Sequence, residues 1–268
     1  MKYLYFSHGG KLGDIIYSLN FIREMIGFFQ TDGARLHLQT EIPLNSVYEP
    51  YNKVIMSTAA AECLAPLLRI QPYLLEVSIS PQLPEGAFNL HERLKLPLDF
   101  FAGNIVDWYY PLFSGILPRN FHDPVLSVPK RDPRSSGRII LFRSTRHCNP
   151  MLDYGFMKSY VDRLIFLGTP EEHDVFRRRF FDCAYLPTRD YLECAELIAG
   201  AKLTVGNQTG LFAIAEQLKV DRVLESCQYR EHNGQIAQGC PNVIPSGGRC
   251  ASIVVQRQFE ETVANFLN

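Results

Sequence analysis

The chain has 268 residues, 46% of them hydrophobic and 21% charged, with a formal net charge of −1. That length allows two modest α/β domains or one large one, in an ordinary globular composition. The balanced charge gives no field for nucleic acid, no apolar run approaches the roughly 20 residues of a membrane span, and the N-terminus lacks a secretion-signal pattern, so a cytoplasmic protein is expected.

The first predicted strand is "KYLYFS", and the stretch "HGGKLGD" follows it. A helix then carries apolar residues at Ile15, Ile16, Leu19, Ile22, Ile26 and Phe29, close to the helical period. A glycine-rich turn between strand and helix is where α/β proteins bring backbone close to a ligand. A plain turn needs glycine, but it does not need His8, Lys11 and Asp14 as well. His8, Gly9, Gly10, Lys11 and Gly13 are therefore candidates for a loop at a cleft. His8 either contacts a substrate or fills the turn. Asp14 is either a catalytic carboxylate or a cap for its own helix.

"ARLHLQT" reads as a second strand, "STAAAECLAPLLRI" as a helix and "YLLEVSIS" as a strand. The aromatic-rich stretch from Ala87 to Ile116 reads as partly helical and holds Trp108, Tyr109 and Tyr110. These rings either stack on a sugar or base or pack in the core. Residues 119–138 carry three prolines, several charges and no periodicity, which reads as a linker.

A second strand–loop–helix series follows. "RIILFRST" is a strand running into a loop, so Arg143, Ser144 and Arg146 should face a cleft. Arginine grips phosphate through paired N–H donors, so Arg143 or Arg146 is a phosphate candidate; surface ion pairing is the alternative. "LIFLGT" and "CAYLP" read as strands, with the helix "PEEHDVFRRRF" between them. Its basic run reads as a solvated face. In "LIAGAKLTVGNQTGLFAIAEQL" a strand enters a turn and a new helix, which Asn207 or Thr209 can cap. The first N–H groups of a helix lack internal partners, so Gln208, Thr209, Gly210 and Leu211 are candidates to hold a diphosphate. Glu225, after the short strand "RVL", could bind a ribose hydroxyl. "QFEETVANFLN" reads as a terminal amphipathic helix.

The seven cysteines are widely spaced, without a CxxC pair, and read as reduced thiols. Cys227, His232, Cys240 and Cys250 fall close in sequence but match no zinc spacing, so no metal is expected. Strands alternating with helices on both sides of the linker predict two Rossmann-like, doubly wound domains facing a cleft. The boundaries are 1–125 and 136–255, with 256–268 a terminal helix expected to cross back onto the first domain.

"GGKLGDIIYSL" together with "LECAELIAGAKLTVGNQTGLFAIAEQL" resembles the bacterial lipopolysaccharide heptosyltransferases, which have the GT-B fold; "IFLGTPEEHDVF" is similar to the strand, turn and helix between those motifs. The resemblance implies an inverting, metal-independent transfer of a sugar from a nucleotide-diphosphate sugar to a hydroxyl acceptor, with no cofactor beyond that co-substrate. It assigns the acceptor side to the first domain and the donor side to the second. It makes Asp14 the base and the 208–211 turn the diphosphate holder. Many relatives have an acidic residue where this chain has Gln208, and a histidine where it has Ala213. The acceptor is a saccharide or another hydroxyl, a hydroxylated DNA base included. The alternative is an inactive nucleotide or nucleotide-sugar binding protein of the same fold. A dinucleotide-dependent oxidoreductase fits worse, because "HGGKLGD" does not spell GxGxxG.

Overall fold

The computed structural model describes residues 2–44, 53–97, 103–113, 122–232, 235–238 and 242–268, with the segments 229–232 and 235–238 by backbone alone. Two parallel sheets organise it. The first holds β1 (Tyr3–His8), β2 (Gly33–Gln39), β3 (Leu74–Ser80) and β4 (Phe88–Asn89), in the order β3-β2-β1-β4. Helix α1 (Leu12–Phe29) joins β1 to β2, and α2 (Thr58–Arg69) lies between β2 and β3. Every pairing in this sheet is parallel.

The second sheet has six strands: β5 (Ile139–Phe142), β6 (Leu164–Phe166), β7 (Ala184–Tyr185), β8 (Leu203–Asn207), β9 (Arg222–Glu225) and, after a two-stranded antiparallel ribbon of β10 (Tyr229–His232) with β11 (Gln235–Gln238), β12 (Cys250–Ile253). Its order is β12-β9-β8-β5-β6-β7, again parallel throughout. Helices α3 (Pro170–Arg179), α4 (Tyr191–Gly200) and α5 (Gly210–Leu218) are its crossovers. The central β5 is buried at all four positions, which is why "IILF" shows no alternation.

Local chemistry sets the helix starts. Thr169 accepts from the Glu172 N–H at 3.2 Å, and Glu172 accepts from the Thr169 N–H at 2.9 Å. With Pro170 in the first turn, this is a complete capping box for α3. Asp190 caps α4 by accepting from the Glu193 N–H at 2.9 Å.

Two expectations need correction, and a third is resolved between its alternatives. The terminal helix α6 (Gln256–Leu267) does not cross to the first half: Phe259, Val263 and Phe266 join a core with Tyr154, Phe176 and Val205. The ring of Phe259 sits 4.9 Å from that of Tyr154. The described part of the linker is not a free tether. Val125 and Leu126 are buried and both donate their N–H to the Gln217 carbonyl, while Arg134 pairs with Asp132 and Glu193. Prolines and charges there shape a packed crossing. The aromatic stretch forms 3₁₀ turns at Leu90–Lys95 and Ile105–Leu112, and Trp108, Tyr109 and Tyr110 are buried, as core packing requires.

The two halves meet directly. One apolar cluster runs from Phe6, Ile16 and Leu36 of the first half to Phe142, Leu211 and Phe212 of the second. A Cβ on Gly210 would come within 2.0 Å of Leu12 Cδ2, so the first turns of α1 and α5 are in contact. Among the described residues, no helix is long and apolar enough to cross a membrane.

Candidate functional site

The opening loop explains its glycines by contact. A Cβ on Gly9 would lie 2.2 Å from Ile42, and one on Gly10 would lie 2.6 Å from the His8 ring and 2.9 Å from Asp14. A Cβ on Gly13 would meet nothing nearer than Gly210 Cα at 3.9 Å. Gly13 thus lies where the first half faces α5.

His8 fills the turn. It is buried, and its Nδ1 accepts from the Gly10 N–H at 2.9 Å. The Tyr109 hydroxyl donates its single proton to the Asp14 carbonyl at 2.7 Å. The 3.0 Å contact between His8 Nε2 and that hydroxyl is therefore donated by His8, which makes it the neutral Nε2–H tautomer. Burial, then the positive charge of Arg93, then His91, pushes its pKa well below the ordinary histidine value.

Asp14 sits in the first turn of α1, one quarter exposed. Its Oδ2 accepts from the Lys11 N–H at 3.1 Å, and its Oδ1 accepts from Arg93 Nη2 at 2.6 Å. It caps its helix and faces a cavity at once, so the two roles expected for it coexist.

In the second half, Thr209 caps α5, accepting from the Phe212 N–H at 3.1 Å. The N–H groups of Gly210 and Leu211 precede the first helical hydrogen bonds and have no backbone or side-chain acceptor among the described residues. Asn207 does not cap. Its Oδ1 accepts from the Ser144 N–H at 3.0 Å, and its Nδ2 donates to the carbonyls of Ser144 at 3.0 Å and Arg146 at 2.6 Å. A backbone donor on one side and two carbonyls on the other settle which amide atom is which. This buried amide fastens the Arg143–Arg146 loop to the end of β8.

Arg143 and Glu225 are taken from the ligand by each other. Both are buried, and Arg143 donates Nε at 2.8 Å and Nη2 at 3.0 Å to the two oxygens of Glu225. Glu225 also accepts from the Tyr154 hydroxyl and the Asn149 N–H. With four donors on two oxygens, the geometry leaves Glu225 no reach to a ribose. Burial pulls the Arg143 pKa down, but the attraction of Glu225 and the hydrogen bonds to it together outweigh burial and raise it above its ordinary value. Arg146 remains exposed at the cleft.

Between the sheets lies a cleft of about 480 Å³, lined by Lys11, Gly13, Ser144, Arg146, Thr209, Gly210 and Leu211, with the edge of Arg143. Thr188, Tyr191 and the loop at Gly168 form its far wall. A smaller cavity of about 100 Å³ shares Lys11, Gly13, Arg146, Thr209 and Gly210 with it, and adds Asp14, Tyr17, His147 and Gln208. The Gln208 side chain donates to that of Asn242. His8, Gly9, Gly10 and Glu225 line neither. Sequence reading missed Arg93, the clamp role of Asn207 and the Thr188–Tyr191 wall. No local pattern marks any of them, since each depends on contacts formed in the fold. Among the described residues, no group of three His, Cys, Asp or Glu is placed to hold a metal; Cys240 and the side chain of His232 lie outside the described residues.

Two parallel sheets, with the C-terminal ends of their strands turned on one cleft, define the two-Rossmann GT-B architecture. Solved structures carry the same arrangement. The glycosyl transferase family 9 protein from Veillonella parvula superposes with a TM-score of 0.62 at 11% identity, covering 98% of this chain and 89% of that one. The E. coli ADP-heptose lps heptosyltransferase II gives 0.61 at 15% identity, covering 100% and 98%. E. coli heptosyltransferase WaaC with ADP gives 0.54 at 12%, covering 99% and 100%. No family model matches the chain, and no curated protein matches it. The chain has the GT-B fold of these glycosyltransferases.

Proposed function

We propose that this protein is a glycosyltransferase that moves a sugar from a nucleotide-diphosphate sugar to a hydroxyl acceptor. The supporting observation is the free first turn of α5. The N–H groups of Gly210 and Leu211 meet Arg146 and Lys11 at a cleft large enough for a nucleotide. Helix N-termini of this kind hold anions by unsatisfied donors and by the dipole. Solved neighbours of the same fold include an ADP-heptose lps heptosyltransferase and a heptosyltransferase with ADP.

The nucleoside would occupy the larger cavity, against Thr188 and Tyr191. The diphosphate would lie on the α5 amides with Arg146 and Lys11 as cations. The smaller cavity beside Asp14 would hold the sugar and the acceptor hydroxyl. Transfer is a single displacement with inversion. The acceptor oxygen bonds to the anomeric carbon, the bond from that carbon to the diphosphate oxygen breaks, and the hydroxyl proton passes to Asp14. The α5 amides and the two cations take up the charge on the leaving diphosphate, so no metal is required. The acceptor is a saccharide or another hydroxylated molecule.

The test is thermal shift and calorimetry with ADP, UDP, GDP and their sugar conjugates, with and without chelator. A ligand at a hundred times its dissociation constant adds about 2.7 kcal/mol. Binding of one nucleotide family, unaffected by chelator, is expected. No binding by any of them refutes the donor site. The second reading, a binding protein without transfer, predicts nucleotide binding unchanged in Asp14→Asn and no turnover of any sugar conjugate by either protein.

A further inference from the structure

Asp14 enters the smaller cavity as half of an ion pair. Arg93, 79 residues away, donates Nη2 to Asp14 Oδ1 at 2.6 Å. The Arg93 side chain is 4% exposed against 24% for Asp14. Its guanidinium carbon lies 4.9 Å from the Tyr109 ring centre and 5.5 Å from that of Trp108. Its Nε and Nη1 are buried with no hydrogen-bond partner among the described residues.

That arrangement is a weak device for stability. A buried cation with unmade N–H bonds carries a desolvation penalty that one carboxylate does not cover, and aromatic faces return only part of it. A Met or Leu would pack the space without that penalty. What the arginine supplies, and an apolar residue cannot, is a short charge-assisted bond to one chosen oxygen of Asp14. The Lys11 N–H takes the other oxygen. Two donors from two directions fix both the χ1 angle and the plane of the carboxylate. Each oxygen keeps one further lone pair for an incoming hydroxyl.

We propose that Arg93 is a positioning residue for Asp14: it holds the carboxylate in one rotamer at the smaller cavity and keeps it ready to take the acceptor's proton. The inference rests on the transferase reading above. It has a chemical consequence within that reaction. When the hydroxyl proton reaches Asp14, the carboxyl becomes neutral while Arg93 stays charged. That proton then leaves to water, which resets the base for the next turnover.

The experiment compares wild type with Arg93→Lys and Arg93→Gln, with Asp14→Asn as the inactive control. The first readout needs no activity: three-bond carbon and nitrogen couplings across χ1 of Asp14, in isotope-labelled protein. Wild type should show single-rotamer values, Arg93→Gln averaged ones, and Arg93→Lys values between them. The second readout is release of nucleoside diphosphate from ADP-, UDP- or GDP-linked glucose, with water as acceptor. Loss of alignment should lower kcat by about 10²-fold in Arg93→Gln, with KM for the donor within about twofold. Arg93→Lys, which restores charge without the planar fork, should recover about tenfold of that. Unchanged couplings in folded Arg93→Gln overturn the proposal, and so does a parallel collapse of kcat and donor affinity, which marks a structural role only. If Arg93→Gln does not fold, Arg93→Lys carries both measurements, and fully wild-type values overturn the proposal. If wild type binds no nucleotide, the transferase reading fails, while the couplings still judge whether Arg93 positions Asp14.

Discussion

Asn207→Asp changes one donating NH₂ group for an oxygen and leaves the shape of the side chain intact. The oxygen that accepts from the Ser144 N–H survives. The other position now sets a carboxylate oxygen against the carbonyls of Ser144 and Arg146, where Nδ2 had donated at 3.0 and 2.6 Å. Two lost hydrogen bonds cost about 2 kcal/mol, and the unpartnered buried acceptors add about the same again. A deficit of about 4 kcal/mol is a large share of a typical total of roughly 5–15 kcal/mol. Urea unfolding at pH 7.5 measures it. Acid should narrow it. Once protonated, the introduced carboxyl regains one donor, so its pKa in the folded variant lies above the unfolded value of about 3.9. The folded variant then binds more protons than the unfolded chain, and its stability rises as pH falls from neutral toward that value. Coincident urea midpoints for wild type and variant at pH 7.5, or a deficit unchanged at pH 5, would refute the clamp. On the proposed function, nucleotide affinity should also fall, because Arg146 rides on the loop that Asn207 fastens.

Three further outcomes follow from the same contacts. Gly206→Ala places a Cβ 2.2 Å from the Phe142 carbonyl oxygen, a backbone atom that cannot swing aside, so β5 and β8 must part. A loss of about 3 kcal/mol or failure to fold is expected in urea titration, and a wild-type midpoint would contradict it. Thr209→Val removes the cap that accepts from the Phe212 N–H and should cost about 1 kcal/mol, read as a lower melting temperature. His8 is buried and neutral, with its pKa held well below 6.5, so its contribution is complete above that value and lost as pH falls beneath it. If it stays neutral throughout, the loss between pH 7 and pH 5 reaches about 2 kcal/mol. His8→Gln should flatten that part of the urea-stability profile, and an unchanged slope would show that His8 takes up its proton in the fold.

Much of the architecture was legible because it is written locally. Thr169, Pro170 and Glu172 announce the start of α3 by themselves, and the apolar residues from Ile15 to Phe29 announce α1. The turn from Asn207 to Leu211 was readable as a helix start, although the capping went to Thr209 alone. What stayed hidden depends on partners distant in sequence. Arg143 and Glu225 both looked like ligand contacts because each stands at the end of a parallel strand. They face each other 82 positions apart, and desolvation makes each the other's best partner. Arg93 lies in an aromatic-rich stretch whose 3₁₀ turns have no clear period, so nothing local tied it to Asp14. The terminal helix was readable as amphipathic, but periodicity tells which face is apolar, not which sheet will cover it.

The contact of Leu12 with Gly210 has a consequence for how the molecule moves. The two halves share one continuous apolar interior under the cleft, so opening them like a hinged book would expose that interior to water. Packing therefore resists any change in the width of the cleft. Traffic through it falls to the side chains at its mouth, Arg146 and Arg189 among them, whose rearrangement takes far less time than the movement of a domain. Ligand binding should be a one-step process in rapid mixing. Chains cut within the 122–138 crossing should give fragments that fold only in each other's company.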